Sequence, residues 1–197
     1  MLNDLIPKLD EAKKDLRKVY FVDAAHFVWG AFLGCLWCFS RMFLPTPSGR
    51  VRYNVLGAID AVSHDFITVC NNGYINAKSV CELLTKIYEQ NIGLPITIVL
   101  DNARYQHCNL VQNFANELNI ELLFLPSYSP HLNIIERLWK WVKKDCLYCK
   151  YYDKSIKFQN AIENSLAKVS KLENKNTFDS LLNLKFQSYS KAQFITV

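Results

Sequence analysis

Three acids stand where a carboxylate can do chemistry. Asp23 closes the apolar run Val19-Tyr20-Phe21-Val22, and Asp101 closes the run 96–100. Glu136 comes shortly after Pro126-Ser127-Tyr128-Ser129-Pro130 and opens a stretch with helical periodicity. Ligand sites in open α/β sheets gather beyond strand ends. Carboxylates collected there are the oxygen donors that hold divalent cations with some waters retained. Two such ions, roughly 3.5–4 Å apart, activate the attacking oxygen and stabilise the leaving one in phosphodiester cleavage. Bare carboxylates would repel an anionic substrate, and bound cations reverse the local sign. Each acid alone also has an ordinary reading, as a turn former or a cap; Asp101-Asn102 has the make-up of an Asx turn.

The elements that would position these acids follow from the pattern. Residues 17–23 read as a central strand, apolar on both faces. Residues 27–34 and 35–44 are expected as two further strands, followed by a turn at Pro45-Thr46-Pro47-Ser48-Gly49. Residues 52–60 and 64–70 complete the early strands, with Asn71-Asn72-Gly73 as a turn. A helix is expected over 76–91 from the spacing of Val80, Leu83, Leu84, Ile87 and Tyr88, with capping-box spacing at Ser79 and Glu82. A strand over 96–100 follows. A helix over 108–118 comes next, with Leu110, Val111, Phe114, Ala115 and Leu118 inward, and then a strand over 120–125. Helices over 133–148 and 155–169 close the ordered part, and the tail from 171 gives no clear signal. Early hairpins followed by alternating units predict an α/β fold with a mixed sheet flanked by helices.

On the helix after the turn, about 100° per residue puts Ile134, Ile135, Leu138, Trp141 and Val142 on one arc. Glu136 falls on the other side, near Asn133, Lys140, Lys143 and Lys144. A solvated Glu136–Lys140 pair is the plain reading. An acid among basic groups also suits a site that takes metal and phosphate together, with the lysines on DNA phosphates. Trp139 is the one tryptophan expected at the surface, where it could stack on a base.

Length and composition fit this picture. The 197 residues make one domain with at most a small appendage. The divisions expected are a polar lead-in at 1–16, the catalytic domain at 17–150 and a helical extension at 151–197. Half of the residues are hydrophobic, enough for a full core. A net charge of +5 permits a nucleic-acid partner without requiring one. Seven cysteines behind a polar N-terminus predict reduced thiols and a cytoplasmic location. The apolar run 27–39 is too short to span a membrane.

At this point the chain resembles the DDE transposases of the mariner-like superfamily, in particular the bacterial insertion-sequence branch. The resemblance covers about residues 17–150. It is carried by Phe21-Val22-Asp23, Asn54-Val55-Leu56-Gly57-Ala58, Val99-Leu100-Asp101-Asn102-Ala103, Leu125-Pro126-Ser127-Tyr128-Ser129-Pro130 and Leu132-Asn133-Ile134-Ile135-Glu136, then Leu138-Trp139 and Lys143-Lys144. The 34 residues between Asp101 and Glu136 match the spacing of the group. The resemblance implies an RNase H-like fold and two Mg²⁺ ions, replaceable by Mn²⁺, on Asp23, Asp101 and Glu136. It implies hydrolysis at transposon ends and attack of the freed 3′-OH on target DNA, with no covalent protein–DNA intermediate. It further implies DNA as partner, a homo-oligomer on DNA and a bacterial cytoplasm.

Three departures stand out. Ala24 follows Asp23 where many relatives have Glu. Ile134 precedes the catalytic Glu where many have Pro. The helix-turn-helix region that reads transposon ends has no counterpart here, so a separately encoded N-terminal region is expected as a partner. A truncated copy that binds DNA without moving it is the alternative reading. An RNase H-like nuclease of other specificity is weaker, given the turn motif and the acid spacing.

The remaining candidates are secondary. Arg50 and Arg52 follow a Pro/Gly turn and could meet phosphate. His107 and His131 flank Asp101 and Glu136 and could touch the scissile phosphate. His26 and His64 are expected to be structural. The pairs Cys35/Cys38 and Cys146/Cys149 lack a zinc-knuckle glycine, and the first lies in a run expected as strand, where positions three apart face opposite ways. Buried or partly exposed thiols are expected there.

Overall fold

In the computed structural model, residues 2–30, 32–35, 37–46, 51–126, 129–169 and 175–184 are described. Five strands form one sheet: β1 Lys18–Val28, β2 Arg52–Asp60, β3 Phe66–Asn71, β4 Ile96–Leu100 and β5 Ile120–Phe124. Their order is β3-β2-β1-β4-β5. The first three are antiparallel neighbours; residues 29–51 separate β1 from β2, and only residues 61–65 separate β2 from β3. β4 and β5 run parallel to β1, each reached by a helical crossover. The helices are α1 Leu2–Ala12, α2 Ala77–Gln90, α3 Asn109–Glu117, α4 Ile135–Cys146, α5 Ser155–Ala167 and α6 Lys175–Leu181. This is the mixed sheet with flanking helices that the sequence pattern predicts.

Alternation along β1 divides the core in two. Tyr20 and Val22 face α2 and α3, packing with Val80, Leu83, Leu84, Ile87, Val111 and Ala115. Val19, Phe21, Ala25 and Phe27 face the other layer, made by α1, α4, α5 and α6. Asp23 has the parity of that second set. The residues expected as a polar lead-in form α1, whose Leu5, Leu9 and Ala12 are buried at helical spacing. In the tail, α6 contributes buried Phe178, and Leu182 just after it is buried too. The helix is fastened to α4 by Trp141 against Phe178, ring centroids 4.9 Å apart, and by Arg137 donating to the Asn183 carbonyl at 2.8 Å.

Several local expectations are corrected. β1 runs on to Val28, so part of the stretch expected as a second strand is the end of the first. Residues 35 and 37–46 form no strand: Trp37, Phe39 and Phe43 are largely or fully exposed, and without a partner strand an apolar run has nothing to pair with. Cys35 and Cys38 are accordingly exposed, not buried. Leu33 alone bridges to Tyr148. The cap of α2 is Asn76 with Ser79, each side chain meeting the other's backbone, one turn earlier than Ser79 and Glu82. Leu110 is exposed, because α3 presents Val111 and Ala115 to the sheet. Among the described residues no helix is long and apolar enough to cross a membrane.

The register sets the site. β1 and β4 pair only from Lys18↔Ile96 to Phe21↔Val99. Beyond Phe21, β1 continues beside β2 alone. A gap opens on its other edge, and α4 enters there. Gly57 lies directly across from Asp23. A Cβ at Gly57 would stand 2.8 Å from both Trp139 Cη2 and Phe66 Cε2, so only a missing side chain lets the indole settle onto the sheet. Gly57→Val is expected to lower stability by about 1–3 kcal/mol through overpacking. Urea unfolding of the two proteins checks this, and equal midpoints would contradict the close contact.

Candidate active site

Asp23 sits on β1 just past the last residue paired with β4. Its Oδ2 accepts a hydrogen bond from Trp139 Nε1 at 3.0 Å. Its carboxyl is pushed up to about 6, first by burial, then by the charges of Asp101 and Glu136; the Ala24 and Trp139 N–H groups pull the other way. Asp101 and Glu136 therefore both act on Asp23, although the three come from β1, the end of β4 and the start of α4.

Asp101 is half-buried. Its Oδ1 accepts from the Ala103 N–H at 3.0 Å, the Asx turn that the sequence allowed. The next residue anchors the loop: Asn102 Nδ2 donates to the Leu125 carbonyl at 2.6 Å, and the Leu125 N–H donates to the Leu100 carbonyl at 2.8 Å. Tyr105 lies in the same field. Burial first, then the charges of Asp101 and Asp23, push its phenol up to about 12, so it stays protonated at neutral pH.

Glu136 is in the first turn of α4, where the helix dipole favours an acid. With Asp23, Ala24, Ala25, His26, Trp139, Lys140 and Lys143 it lines an open cleft of about 390 Å³. As the side chains stand, no three His, Cys, Asp or Glu among the described residues form a group able to hold a metal ion. Asp23 and Asp101 each keep an oxygen on a protein donor, and the repulsion recorded at Asp23 is what a cation among these acids would relieve.

The other expected site residues divide. Lys140 and Lys143 are exposed on the cleft wall. Lys144 is exposed in the last turn of α4, and Arg52 is exposed at the start of β2. His131 is exposed in the 3-10 turn Pro130–Leu132. His107 is exposed, with its ring 4.2 Å from that of Phe124 and its Nδ1 3.2 Å from Gln112 Nε2. Arg50, like Ser127 and Tyr128 of the turn, lies outside the described residues. Asn133, expected on DNA, is 3% exposed instead. Its Nδ2 donates to the Val22 carbonyl at 3.1 Å, which β4 no longer pairs, and so ties the entry of α4 to β1.

Sequence reasoning missed Trp139. It was expected at the surface with Trp141 in the core; Trp139 is 5% exposed and Trp141 only partly buried. A buried indole N–H needs an acceptor. An acid on the neighbouring strand and Glu136 three positions earlier were the available signals.

Asp23 also makes stability depend on pH. Its folded carboxyl titrates near 6 against an ordinary 3.8. The folded state therefore binds the proton more tightly, and stability falls as pH rises between about 4 and 6. Asp23→Asn keeps an acceptor for Trp139 and removes the charge. It is expected to raise stability at pH 7 by on the order of 2 kcal/mol, with the gain disappearing near pH 4. Thermal unfolding at the two pH values, without metal, reads the difference; no gain at pH 7 would refute the strained carboxylate.

The sequence profile of the DDE superfamily endonucleases matches residues 40–159, more than half of the chain. That segment holds Asp101 and Glu136 and begins after Asp23. No curated protein matches the chain in sequence. Among solved structures, the Mos1 transposase paired-end complex with left transposon end aligns over 92% of this chain and 60% of its own, at 13% identity and a TM-score of 0.55. The simian T-cell lymphotropic virus intasome in complex with PP2A regulatory subunit B56 gamma aligns over 78% and 48%, at 17% identity and a TM-score of 0.54. The Mos1 strand transfer complex aligns over 95% and 60%, at 12% identity and a TM-score of 0.52. The chain thus spans about half to three fifths of the length of these solved chains. At such identities the likeness is one of fold, the RNase H-like mixed sheet. With the profile match, the acid-lined cleft and the sheet order together, the chain belongs to the DDE superfamily endonucleases.

Proposed function

We propose that this chain is the catalytic domain of a DNA transposase, from the insertion-sequence branch of the mariner-like superfamily. It would hydrolyse the P–O3′ bond at a transposon end; the freed 3′-OH would then attack a target phosphodiester, forming a new P–O3′ bond as the target's own P–O3′ bond breaks and its 3′-OH leaves. The observation that carries this reading is the action of Asp101 and Glu136 on Asp23 at a cleft walled by lysines. Three acids from separate elements, raising one member by burial and mutual repulsion, suit an oxygen-ligated divalent cation.

We assign Asp23, Asp101 and Glu136 as the ligands of two Mg²⁺ ions. One Mos1 complex is described with Mn, and we carry to this chain the expectation that Mn²⁺ substitutes. When bound, the ions would polarise the phosphodiester and stabilise the attacking and leaving oxygens. The chain's own residues bind and orient the DNA. Lys140 and Lys143 meet backbone phosphates along the cleft, and Lys144 and Arg52 extend the basic track. As partners we propose transposon-end and target DNA, a second copy of the chain on that DNA, and a helix-turn-helix region that reads the ends.

The test is strand cleavage of a duplex carrying the encoding element's terminal sequence. Wild type with Mg²⁺ is expected to cut, and Asp101→Asn to lose cleavage while still binding the duplex. Equal cleavage by both proteins would remove the mechanism. Binding without cleavage by wild type would select the alternative, a remnant that holds DNA without moving it.

A further inference from the structure

The hydrogen bond to Asp23 brings in a residue that the acids alone do not explain. Trp139 lies three positions after Glu136, about 60° around α4 from it at about 100° per residue, so one face of one helix carries both. Its indole N–H reaches Asp23 Oδ2 at 3.0 Å. The ring is caged. Phe27 meets it edge-on at 6.5 Å between centroids and 81° between planes. Phe66 does the same at 5.9 Å and 69°. Gly57 leaves the space beneath it. A ring held on these sides keeps its single polar group in one place.

We infer that Trp139 is a positioning residue for Asp23: its indole N–H pins one carboxylate oxygen and leaves the other lone pairs facing the cleft for a divalent cation. The inference rests on the assignment of Asp23 as a metal ligand. A carboxylate offers about four lone-pair positions; the indole takes one and the Ala24 N–H another. The pinned side chain is ordered when the protein folds, not when the cation arrives, which favours binding. The chemistry of the donor fits the task. A lysine or arginine would place a positive charge beside the cation and compete with it. An indole is neutral and has no acceptor, so it orients the acid without binding metal itself. The three-residue helical step also fixes one ligand, Glu136, relative to the group that orients another.

The experiment is calorimetric titration of Mn²⁺ into the whole chain without DNA, for wild type, Trp139→Phe, Phe66→Leu and Asp101→Asn. Donors behind a metal ligand are typically worth about 10–100-fold in affinity. Trp139→Phe is expected to weaken Mn²⁺ binding by about tenfold or more. Phe66→Leu removes one wall of the cage but keeps the N–H, and is expected to weaken binding by much less than Trp139→Phe. Wild-type affinity in Trp139→Phe overturns the inference, and so does an equal loss in both variants, which would mean packing alone. A wild type that binds Mn²⁺ no better than Asp101→Asn overturns the metal assignment instead, so the two failures are distinct. Should Trp139→Phe fail to fold, indole ¹H–¹⁵N spectra decide. The chain has four tryptophans, and the Trp139 signal, assigned by selective labelling, is expected to move on adding Mg²⁺ and in Asp23→Asn. A signal indifferent to both overturns the inference.

Discussion

Four residues of β1, Lys18 to Phe21, pair with β4, and the seven that follow do not. That early end of a parallel ladder is the constraint on which the site depends. Strands that stayed paired would leave no room between them for a helix or a substrate. Where they part, the Val22 carbonyl loses its strand partner. A buried carbonyl without a donor is unfavourable by about 1–3 kcal/mol, and Asn133 supplies the donor. The side chain that repairs the sheet edge is thus the one that fixes where α4 begins. Glu136 follows within a turn.

The same divergence explains the electrostatics. Asp23 has the parity of a core residue, flanked by Phe21 and Ala25, both buried. Position 23 would be apolar in a sheet whose only purpose was stability. Instead a carboxylate is held among hydrophobic neighbours and within reach of two more. Folding can gather such groups because the rest of the two-layer core outweighs the repulsion. Structures that hold functional groups in unfavourable settings commonly do so where they act.

Much of this was legible in the sequence. Asp101 at its strand end, β2, β4, β5, α2, α4 and α5 were readable because length and apolar period agreed; Asp23, expected to close its strand, lies inside β1. The stretch after Asp23 misled, since its hydrophobicity belongs partly to the extension of β1 and partly to exposed Trp37, Phe39 and Phe43. Composition does not distinguish an apolar loop from an apolar strand; a partner strand does. The roles of Trp139 and Trp141 were exchanged for a related reason. A helical wheel supplies one buried arc, whereas α4 meets the sheet on one side and α6 on another, so both rings find neighbours. Asn133 looked like a polar residue near a basic helix. Only the register between β1 and β4 shows that a carbonyl there needs it.

Gly57 gives the fold a consequence for recognising decayed relatives. A reader judging whether a related gene still encodes a working enzyme counts its acids. At Gly57 there is no acid to count, and the position lies on a strand far in sequence from Glu136. Yet any side chain there would collide with the indole that meets Asp23. A gene can therefore keep all three carboxylates while one methyl group on β2 crowds the indole that meets one of them. Its state of preservation is read from the pair at 57 and 139 as much as from the acids.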